Sequence, residues 1–497
     1  MNMMTKMTHP DEESIQYAYN ANGNVTLLTY PDTNGVIYLY NNNNALTRVT
    51  DAQSGNEDYL YDGAGNLTKT THPNATYTTY LYSDLNRLTE ISNEKDGSNT
   101  HSSFTYLYGS AGNRTKVTEE DGSTVEYYYD TVYQLTREVR DDATNNDNDY
   151  TITFTYDNVG NRTTTTKGGT TTTYLYSNLN QLTSSTVGGT TTTYSYDSNG
   201  NLTNKDDGTN ETTYEWGIGN KLAKVTLPGE TTVTCLYDIE GNRIMRVTSS
   251  GVVRYVNELN RGLSQVLMKK DDSGIILGVY TYGNDLVKMR RDSTDSYYLY
   301  DGLGSVRQVT DSAKDVTDSY IYEAFGKLVA SSGSTDNTRK FTGEDYDATA
   351  GLLYLRARCY DPDVGRFISR DPIGYADGVN RYVYAGNSPM NLLDPTGLAC
   401  GPGKVGDIIV PDGGWGYSFD KACEKHDDCY GDCCKTKDER DKEFCKRMKD
   451  ECRKLSRADP RRYRCLLVAG AYYRGVRTKG GNWAYASAQR KAKCGGK

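Results

Sequence analysis

A short stretch near the end of the chain, FDKACEKHDDCYGDC at residues 419–433, concentrates side chains that can do chemistry. On a helix, Cys423, His426, Asp427 and Tyr430 occupy positions i, i+3, i+4 and i+7, which form one face. An ordinary amphipathic helix would carry apolar side chains on that face. Here the face carries a thiol, an imidazole, a carboxylate and a phenol.

The next predicted helix, DERDKEFCKRMKDECRKL at 438–455, begins its apolar stripe with Asp441. A carboxylate in such a position is costly unless it is paired. The only histidine after residue 398 is His426, which makes it the natural partner of Asp441. The link between the two predicted helices is short, which favours an antiparallel pair and would bring the two side chains together. The spacing therefore predicts a His–Asp dyad. A buried structural ion pair or a zinc site remains an alternative, although the cysteines lack a second ligand pair at zinc-finger spacing.

Four motifs in order resemble secreted phospholipase A2 and together span nearly all of 399–497. They are VPDGGWGYSFDKAC (410–423), C-x-x-H-D-x-C-Y (423–430), D-x-x-F-x-x-x-M-x-x-x-C (441–452) and C-x-x-x-A-x-x-Y-Y (465–473). The resemblance implies an enzyme that hydrolyses the sn-2 ester of membrane phospholipids. In this family pattern, His426 acts as a general base on water and Asp441 orients its imidazole, with Tyr430 as a supporting residue.

Calcium is the cofactor that this resemblance implies. Asp427 would bind the ion together with backbone carbonyls of Gly401 and Gly403 in the loop CGPG. Oxygen ligands of this kind suit calcium. The spacing of bacterial members would instead place this loop near Val405 and Gly406. The sequence also departs from the family pattern at Ala422 and Arg440, where cysteines are usual.

Nine of the eleven cysteines lie at position 400 or later, which is typical of a disulfide scaffold and an oxidising destination. The resemblance implies the pairs Cys400–Cys423 and Cys452–Cys465. The pairing of five others stays open: Cys429, Cys433, Cys434, Cys445 and Cys494. Cys235 and Cys359 stand alone in the sequence and are interpreted as ordinary strand residues.

Charge divides the chain in two. Residues 399–497 carry 23 Lys and Arg against 14 Asp and Glu, whereas the preceding residues carry a net charge of −18. A compact basic end favours an anionic surface, which predicts a preference for anionic phospholipids. A nucleic-acid partner is disfavoured, because a single histidine and one tight carboxylate cluster fit ester chemistry better than a nuclease. The sequence contains no run of 18 apolar residues, so no membrane-spanning helix is predicted. The N-terminal stretch lacks the apolar core of a signal peptide.

The long acidic part is built from repeats. Aromatic residues that end a Y-x-Y or equivalent motif recur every 20 to 27 residues, and a turn containing Gly-Asn or Leu-Asn follows most of them. They are Tyr19, Tyr40, Tyr61, Tyr82, Tyr108, Tyr129, Tyr156, Tyr176, Tyr196, Trp216 and Tyr237. Alternating Thr and Tyr favour strands, and Gly or Asn supplies the positive φ of a tight turn. We predict one β-hairpin per repeat, stacked into one sheet.

These repeats resemble the YD-repeat or Rhs family, related in repeat type to teneurins and insecticidal toxin-complex shells. The resemblance sharpens at YYLYDGLGSVRQVTD (297–311), YLRARCYDPDVGRFISRDPIG (354–374) and NRYVYAGNSPMNLLDPTGL (380–398). It implies an all-β spiral sheet, as a shell or partial shell. Together with the phospholipase resemblance of 399–497, this gives a multidomain protein in which the sheet precedes a small all-α disulfide-rich domain. The predicted divisions are a hairpin array at 1–256, a core-like region at 257–398 and the phospholipase-like domain at 399–497.

In shells of this family, the chain cuts itself after the final DPxGL motif. Carried over, the cut follows Leu398, and Asp371 and Asp394 are the matching aspartates, with Asp377 as a less favoured candidate. An aspartyl mechanism needs two carboxylates that share a proton and a water. The alternative is that these Asp-Pro sequences form turns without chemistry.

The combined interpretation is a toxin carrier whose C-terminal end is a calcium-dependent phospholipase A2. It predicts secretion or delivery to a target cell, and a cognate immunity protein in the producer. The alternative is a cell-surface adhesion or carbohydrate-binding protein with an inactive end. The complete set of His426, Asp427 and Asp441 favours the enzyme, because a decaying site should lose one of these residues first.

Overall fold

A computed structural model describes residues 3–9, 13–374 and 379–398. They form one antiparallel sheet of 31 strands and a second sheet of four strands. Helix in this part of the chain is limited to short 3₁₀ segments, at Asn146–Asn148, Ile218–Asn220, Pro228–Glu230, Phe341–Gly343 and Ala385–Asn387. No helix among the described residues is long and apolar enough to cross a membrane. The all-β prediction is confirmed for these residues, whereas the predicted all-α domain at 399–497 lies outside them.

Each strand of the large sheet pairs antiparallel with the next strand in the sequence. The first fifteen are β1 (Lys6–Thr8), β2 (Ser14–Tyr19), β3 (Val25–Thr29), β4 (Gly35–Tyr40), β5 (Leu46–Asp51), β6 (Gly55–Tyr61), β7 (Leu67–Thr71), β8 (Tyr77–Tyr82), β9 (Leu88–Asp96), β10 (Asn99–Tyr108), β11 (Arg114–Glu119), β12 (Thr124–Tyr129), β13 (Leu135–Asp141), β14 (Tyr150–Tyr156) and β15 (Arg162–Lys167). The others are β16 (Thr170–Tyr176), β17 (Leu182–Val187), β18 (Thr190–Tyr196), β19 (Leu202–Asp206), β20 (Glu211–Trp216), β21 (Leu222–Thr226), β22 (Thr232–Tyr237), β23 (Arg243–Thr248), β24 (Gly251–Glu258), β25 (Gln265–Lys270), β26 (Ile276–Tyr282), β27 (Leu286–Arg291), β28 (Thr294–Tyr300), β29 (Val306–Thr310), β30 (Val316–Tyr322) and β31 (Leu328–Ser332).

The turns explain why the repeats fold as hairpins. After β6, the Oδ1 atom of Asp62 accepts hydrogen bonds from the backbone N–H groups of Ala64 and Asn66 at 2.8 and 2.9 Å. Gly65 supplies the left-handed backbone with φ of +88°. In the Leu-Asn form of the turn, Asn86 takes the same place with φ of +55°, because Asn tolerates this region better than other side chains. The predicted hairpin of each repeat is confirmed.

In most repeats, the aromatic residue at the end also fastens the repeat to its predecessor. The Tyr61 hydroxyl donates to the Leu46 carbonyl at 2.8 Å, and the Tyr237 hydroxyl donates to the Leu222 carbonyl at 2.9 Å. Trp216 donates its indole N–H to a carbonyl in the equivalent position at 2.6 Å. This shared donor explains why Trp can replace Tyr in one repeat.

Strands β24–β31 run beside β2–β14 as a second turn of a spiral. Hydrogen bonds join the two turns, and their partners advance in the same direction along both segments. The pairs include Tyr17–Glu258, Tyr30–Tyr280, Tyr106–Gly302, Glu119–Arg307 and Glu138–Ala324. Strand β24 runs across the position 256/257, so the repeats and the beginning of the core-like region share one sheet.

After β31, residues 338–374 and 379–398 fold back over β15–β23. We name them the core-ending segment. Its small sheet contains β32 (Asp345–Asp347), β33 (Leu352–Leu355), β34 (Arg358–Asp361) and β35 (Arg366–Phe367). The Leu202 backbone N–H donates to the Ile368 carbonyl at 2.9 Å, and Arg246 pairs with Asp347 at 2.6 Å. Buried apolar side chains from the large sheet, which we call the wall, and from the core-ending segment form common cores.

Candidate self-cleavage site

The DPTGL motif is held as a compact turn against the loop between β33 and β34. The Asp394 carboxylate accepts a hydrogen bond from the Leu398 backbone N–H at 2.9 Å. The Ala357 backbone N–H donates to the Thr396 carbonyl at 3.1 Å. Gly397 has φ of +67°, and a Cβ atom there would lie 2.5 Å from the Leu355 carbonyl oxygen. The motif therefore needs glycine at position 397. The turn places the buried Asp394 carboxylate against Leu398, the residue that precedes the predicted cut.

Asp371, near the middle of the core-ending segment, lies beside the same turn. Its backbone N–H donates to the Arg381 carbonyl at 2.9 Å, and the Arg381 guanidinium donates back to the Asp371 carbonyl at 3.2 Å. The side chain of Asp371 is fully buried, and Asp394 is 2% exposed. The two predicted aspartates thus lie in one buried cluster.

Arg358 joins the two carboxylates. Its Nη2 atom lies 2.9 Å from Asp371 Oδ2 and 3.0 Å from Asp394 Oδ2. Its Nε donates to the Gly397 carbonyl and its Nη1 donates to the Arg381 carbonyl at 3.2 Å. The guanidinium also lies 3.5 Å from the centre of the Phe367 ring. One buried cation therefore orients both aspartates and the last glycine of the motif.

The sequence interpretation named both aspartates but missed Arg358. This arginine stands in YLRARCYD, a motif that we used only to recognise the family. Nothing in its strand pattern distinguishes it from Arg356, two residues earlier. Its burial at 3% exposure is the property that marks it, because a buried arginine requires carboxylate or carbonyl partners.

Burial and the neighbouring charges act on the pKa of Asp371 in opposite directions. Burial raises the pKa of Asp371, and the charge of Asp394 raises it further against the opposing effect of Arg358. The Asp371 Oδ1 atom accepts the Ile373 backbone N–H at 2.9 Å. Its Oδ2 atom touches Arg358 but has no partner in hydrogen-bonding geometry among the described residues. Burial outweighs the opposing charges of Arg358 and Arg381, so the cluster favours holding a proton on Asp371.

Two neighbouring carboxylates that share a proton can act together on a water as acid and base. Leu398 completes the candidate site, since its N–H contacts Asp394. Asp377 lies outside the described residues. The same holds for every candidate residue of the C-terminal end: Cys400, Gly401, Gly403, Cys423, His426, Asp427, Tyr430, Asp441, Cys452 and Cys465.

A spiral of Tyr-Asp hairpins closed by a core-ending segment defines a YD-repeat shell. The model of the teneurin YD-shell family matches residues 111–390, more than half of the chain, and the chain belongs to this family. The RHS repeat model matches residues 40–77 and 61–98. The resemblance of the repeats to the YD-repeat or Rhs type is thereby confirmed, and neither model extends beyond residue 390.

Two known bacterial proteins are similar to part of this chain. The tRNA3(Ser)-specific nuclease WapA of Bacillus spizizenii is 34% identical over 196 residues, which are 37% of this chain and 8% of that protein. The double-stranded DNA deaminase toxin A of Burkholderia cenocepacia is 34% identical over 166 residues, which are 32% of this chain and 11% of that protein. The chain therefore spans a small part of the length of these relatives.

A solved structure shows the same fold. The Tc holotoxin pore of Photorhabdus luminescens superposes with a TM-score of 0.66 at 19% identity, over 82% of this chain and 22% of the matched chain. The spiral shell predicted from the repeats is thus an architecture already found in a toxin complex.

Proposed function

We propose that this chain is the shell of an Rhs-type toxin carrier, and that residues 399–497 are its active end, a calcium-dependent phospholipase A2. The observation that carries the proposal is the order of motifs across position 398. A DPTGL turn with two clustered aspartates, which ends at Leu398, is followed in the sequence by C-x-x-H-D-x-C-Y at 423–430 and then by Asp441. A released enzyme needs both parts in this order.

The names of the relatives support the carrier but leave the chemistry of the end open. One relative is named a nuclease and the other a deaminase, so similar shells accompany different activities. Function resides in sites carried by a fold and not in the fold itself. The end of this chain is therefore assigned from its own residues, and these favour an ester hydrolase.

For the release step, we assign the acid to Asp371 and the base to Asp394. The base removes a proton from a water that attacks the Leu398 carbonyl carbon, and the acid donates its proton as the peptide nitrogen of Ala399 leaves. Arg358 is a positioning residue, because it fixes both carboxylates and the Gly397 carbonyl. The contact between Asp394 and the Leu398 N–H supports this assignment, since it brings the base beside the peptide to be cut.

For lipid hydrolysis, His426 accepts a proton from water, and Asp441 holds the imidazole in the tautomer that leaves its second nitrogen free. Asp427, with carbonyls of Gly401 and Gly403, would hold a calcium ion, whose positive charge favours the oxyanion of the ester. Tyr430 supports this face. These assignments rest on the resemblance and on helix spacing.

Delivery to another cell and protection of the producer follow from such an activity. A phospholipase attacks any accessible membrane, so the producing cell needs an immunity protein or a shell that withholds the enzyme. The similarity to a protein named as a deaminase toxin supports both expectations.

We expect the full chain to release fatty acid from the sn-2 position of phospholipid vesicles when calcium is present, and to stop when a chelator is added. Anionic phosphatidylglycerol vesicles should be hydrolysed faster than neutral phosphatidylcholine vesicles at low salt, and added salt should reduce the difference. Liquid chromatography of fatty acid and lysophospholipid measures both. Equal hydrolysis with and without the chelator would remove calcium from the mechanism. An absence of hydrolysis with calcium would refute the phospholipase and leave the family assignment intact.

Self-cleavage should depend on pH through Asp371. Because the pKa of Asp371 is raised in the folded chain, the acid keeps its proton at pH values above the ordinary aspartate pKa of about 3.9. The cleavage rate should fall as pH rises through the folded pKa, since the acid is then lost. Unfolded full-length chain, transferred into refolding buffers across a pH series, gives the rate by gel densitometry. A rate that is unchanged or rises over this interval would contradict the role of Asp371 as the acid.

A further inference from the structure

The two cysteines of the shell lie on different elements but line one cavity. Cys235 is on β22 of the wall and Cys359 is on β34 of the core-ending segment. Both are buried, at 8% and 9% exposure. The cavity between wall and segment has a volume of about 20 Å³, which is room for about one water molecule. The prediction that Cys235 and Cys359 lie on strands is confirmed. The two thiols nevertheless line the same cavity, although they are far apart in the sequence.

Neighbouring rings fix how the two strands face each other. Cys359 lies opposite Tyr354 in the β33–β34 pair, and the Tyr354 ring lies 6.4 Å from the ring of Tyr237. Tyr237 is two residues after Cys235, so both point to the same face of β22. Arg243 lies 4.5 Å from the centre of the Tyr354 ring. The faces that carry the two thiols are therefore packed against each other.

The electrostatics of the thiols agree with this proximity. Burial, together with the neighbouring Cys235, whose thiolate would repel a second one, raises the pKa of Cys359 to about 12. Burial also raises the pKa of Cys235, while the charge of Arg243 lowers it. Both thiols are consequently poor nucleophiles once the segment has packed, and they react most readily while it is still docking.

We propose that Cys235 and Cys359 form a disulfide when the chain folds in an oxidising environment, and that this bond fastens the core-ending segment to the shell wall. The oxidant is a small disulfide of the glutathione class. The proposal concerns the shell and does not depend on the activity of residues 399–497.

The exchange proceeds in two balanced steps. The Cys235 thiolate, favoured by Arg243, attacks one sulfur of the small disulfide, and one glutathione thiolate leaves. The Cys359 thiolate then attacks the sulfur of Cys235 in this mixed disulfide, and the second glutathione leaves. The two protons lost by the cysteines end on the two glutathione thiols. The protein is oxidised by two electrons, and the small disulfide is reduced by two.

The position of the bond gives it a structural consequence. Arg358, which holds both aspartates and the Gly397 carbonyl, immediately precedes Cys359 on β34. A bond between Cys359 and the wall would restrain this strand from the side opposite to the motif. Because it closes a long loop, it should also restrict the unfolded chain.

The test is disulfide mapping of the full chain. Wild-type chain is refolded with glutathione disulfide or with excess reductant, blocked with an alkylating reagent, digested without reduction and analysed by mass spectrometry. We expect a linked peptide pair containing Cys235 and Cys359 only in the oxidised sample. Recovery of both residues in alkylated form, or joined to cysteines beyond residue 398, would overturn the proposal. The mapping uses wild-type protein and does not require a variant to fold.

A stability measurement checks the same bond independently. The thermal midpoint of the shell should be higher in oxidised than in reduced wild type, and this difference should shrink in Cys359→Ser and in Cys235→Ser. Each variant is compared with itself in the two redox states, so any general loss of stability cancels. An equal redox difference in wild type and both variants would show that the stabilising bonds lie elsewhere, and would reject the cross-link.

Discussion

Asp371→Asn and Asp394→Asn should each leave the chain at full length, whereas wild type should yield a fragment that begins at Ala399. Each substitution keeps the size of the side chain but removes the acid or the base, and groups of this kind contribute about 10²–10⁴-fold to a rate. Both carboxylates contact the same nitrogen of Arg358 at 2.9 and 3.0 Å, and the proposed mechanism gives each of them a separate role. Intact mass and N-terminal peptide sequencing measure the outcome.

Asp361→Asn is the matched control for these variants. Asp361 is a buried aspartate of the same segment, at 7% exposure, and its nearest cation is Lys205 at 3.9 Å. The structure gives it no contact with Arg358, so its substitution should leave the cut unchanged. Circular dichroism and thermal melting establish that each variant is folded. A folded Asp371→Asn or Asp394→Asn chain that is cut as quickly as wild type would refute the aspartyl mechanism.

Local order explains how much of the fold the sequence could predict. Tyr61, Asp62 and Gly65 specify a strand end, a side-chain acceptor for the turn and a left-handed backbone within five positions, so the hairpin is readable from the repeat. The hydrogen bond from Tyr61 to the Leu46 carbonyl was not predicted. Periodicity shows that an aromatic is required, but it does not show what its hydroxyl contacts.

Contacts between distant segments could not be predicted in the same way. Glu119 and Arg307 meet at 2.9 Å because the curvature of the ribbon brings the second turn beside the first. No local pattern encodes that curvature. The pairing of Asp371 with Asp394 through Arg358 has the same origin, since the three residues come from different parts of the core-ending segment. Family motifs identified the two aspartates, while their common arginine required the fold.

His426→Ala should lower calcium-dependent lipid hydrolysis by about 10²–10⁴-fold, because it removes the only histidine after residue 398 and with it the candidate base. Release of the Ala399 fragment should be unchanged, since the aspartate cluster belongs to the shell. His101→Ala makes the same substitution in the shell on β10 and should leave hydrolysis at the wild-type rate. Fatty-acid release from phosphatidylglycerol vesicles measures both variants after intact mass has shown equal cleavage. Undiminished hydrolysis by a folded, fully cleaved His426→Ala chain would exclude the His–Asp mechanism, and the active groups would then have to be sought elsewhere in residues 399–497.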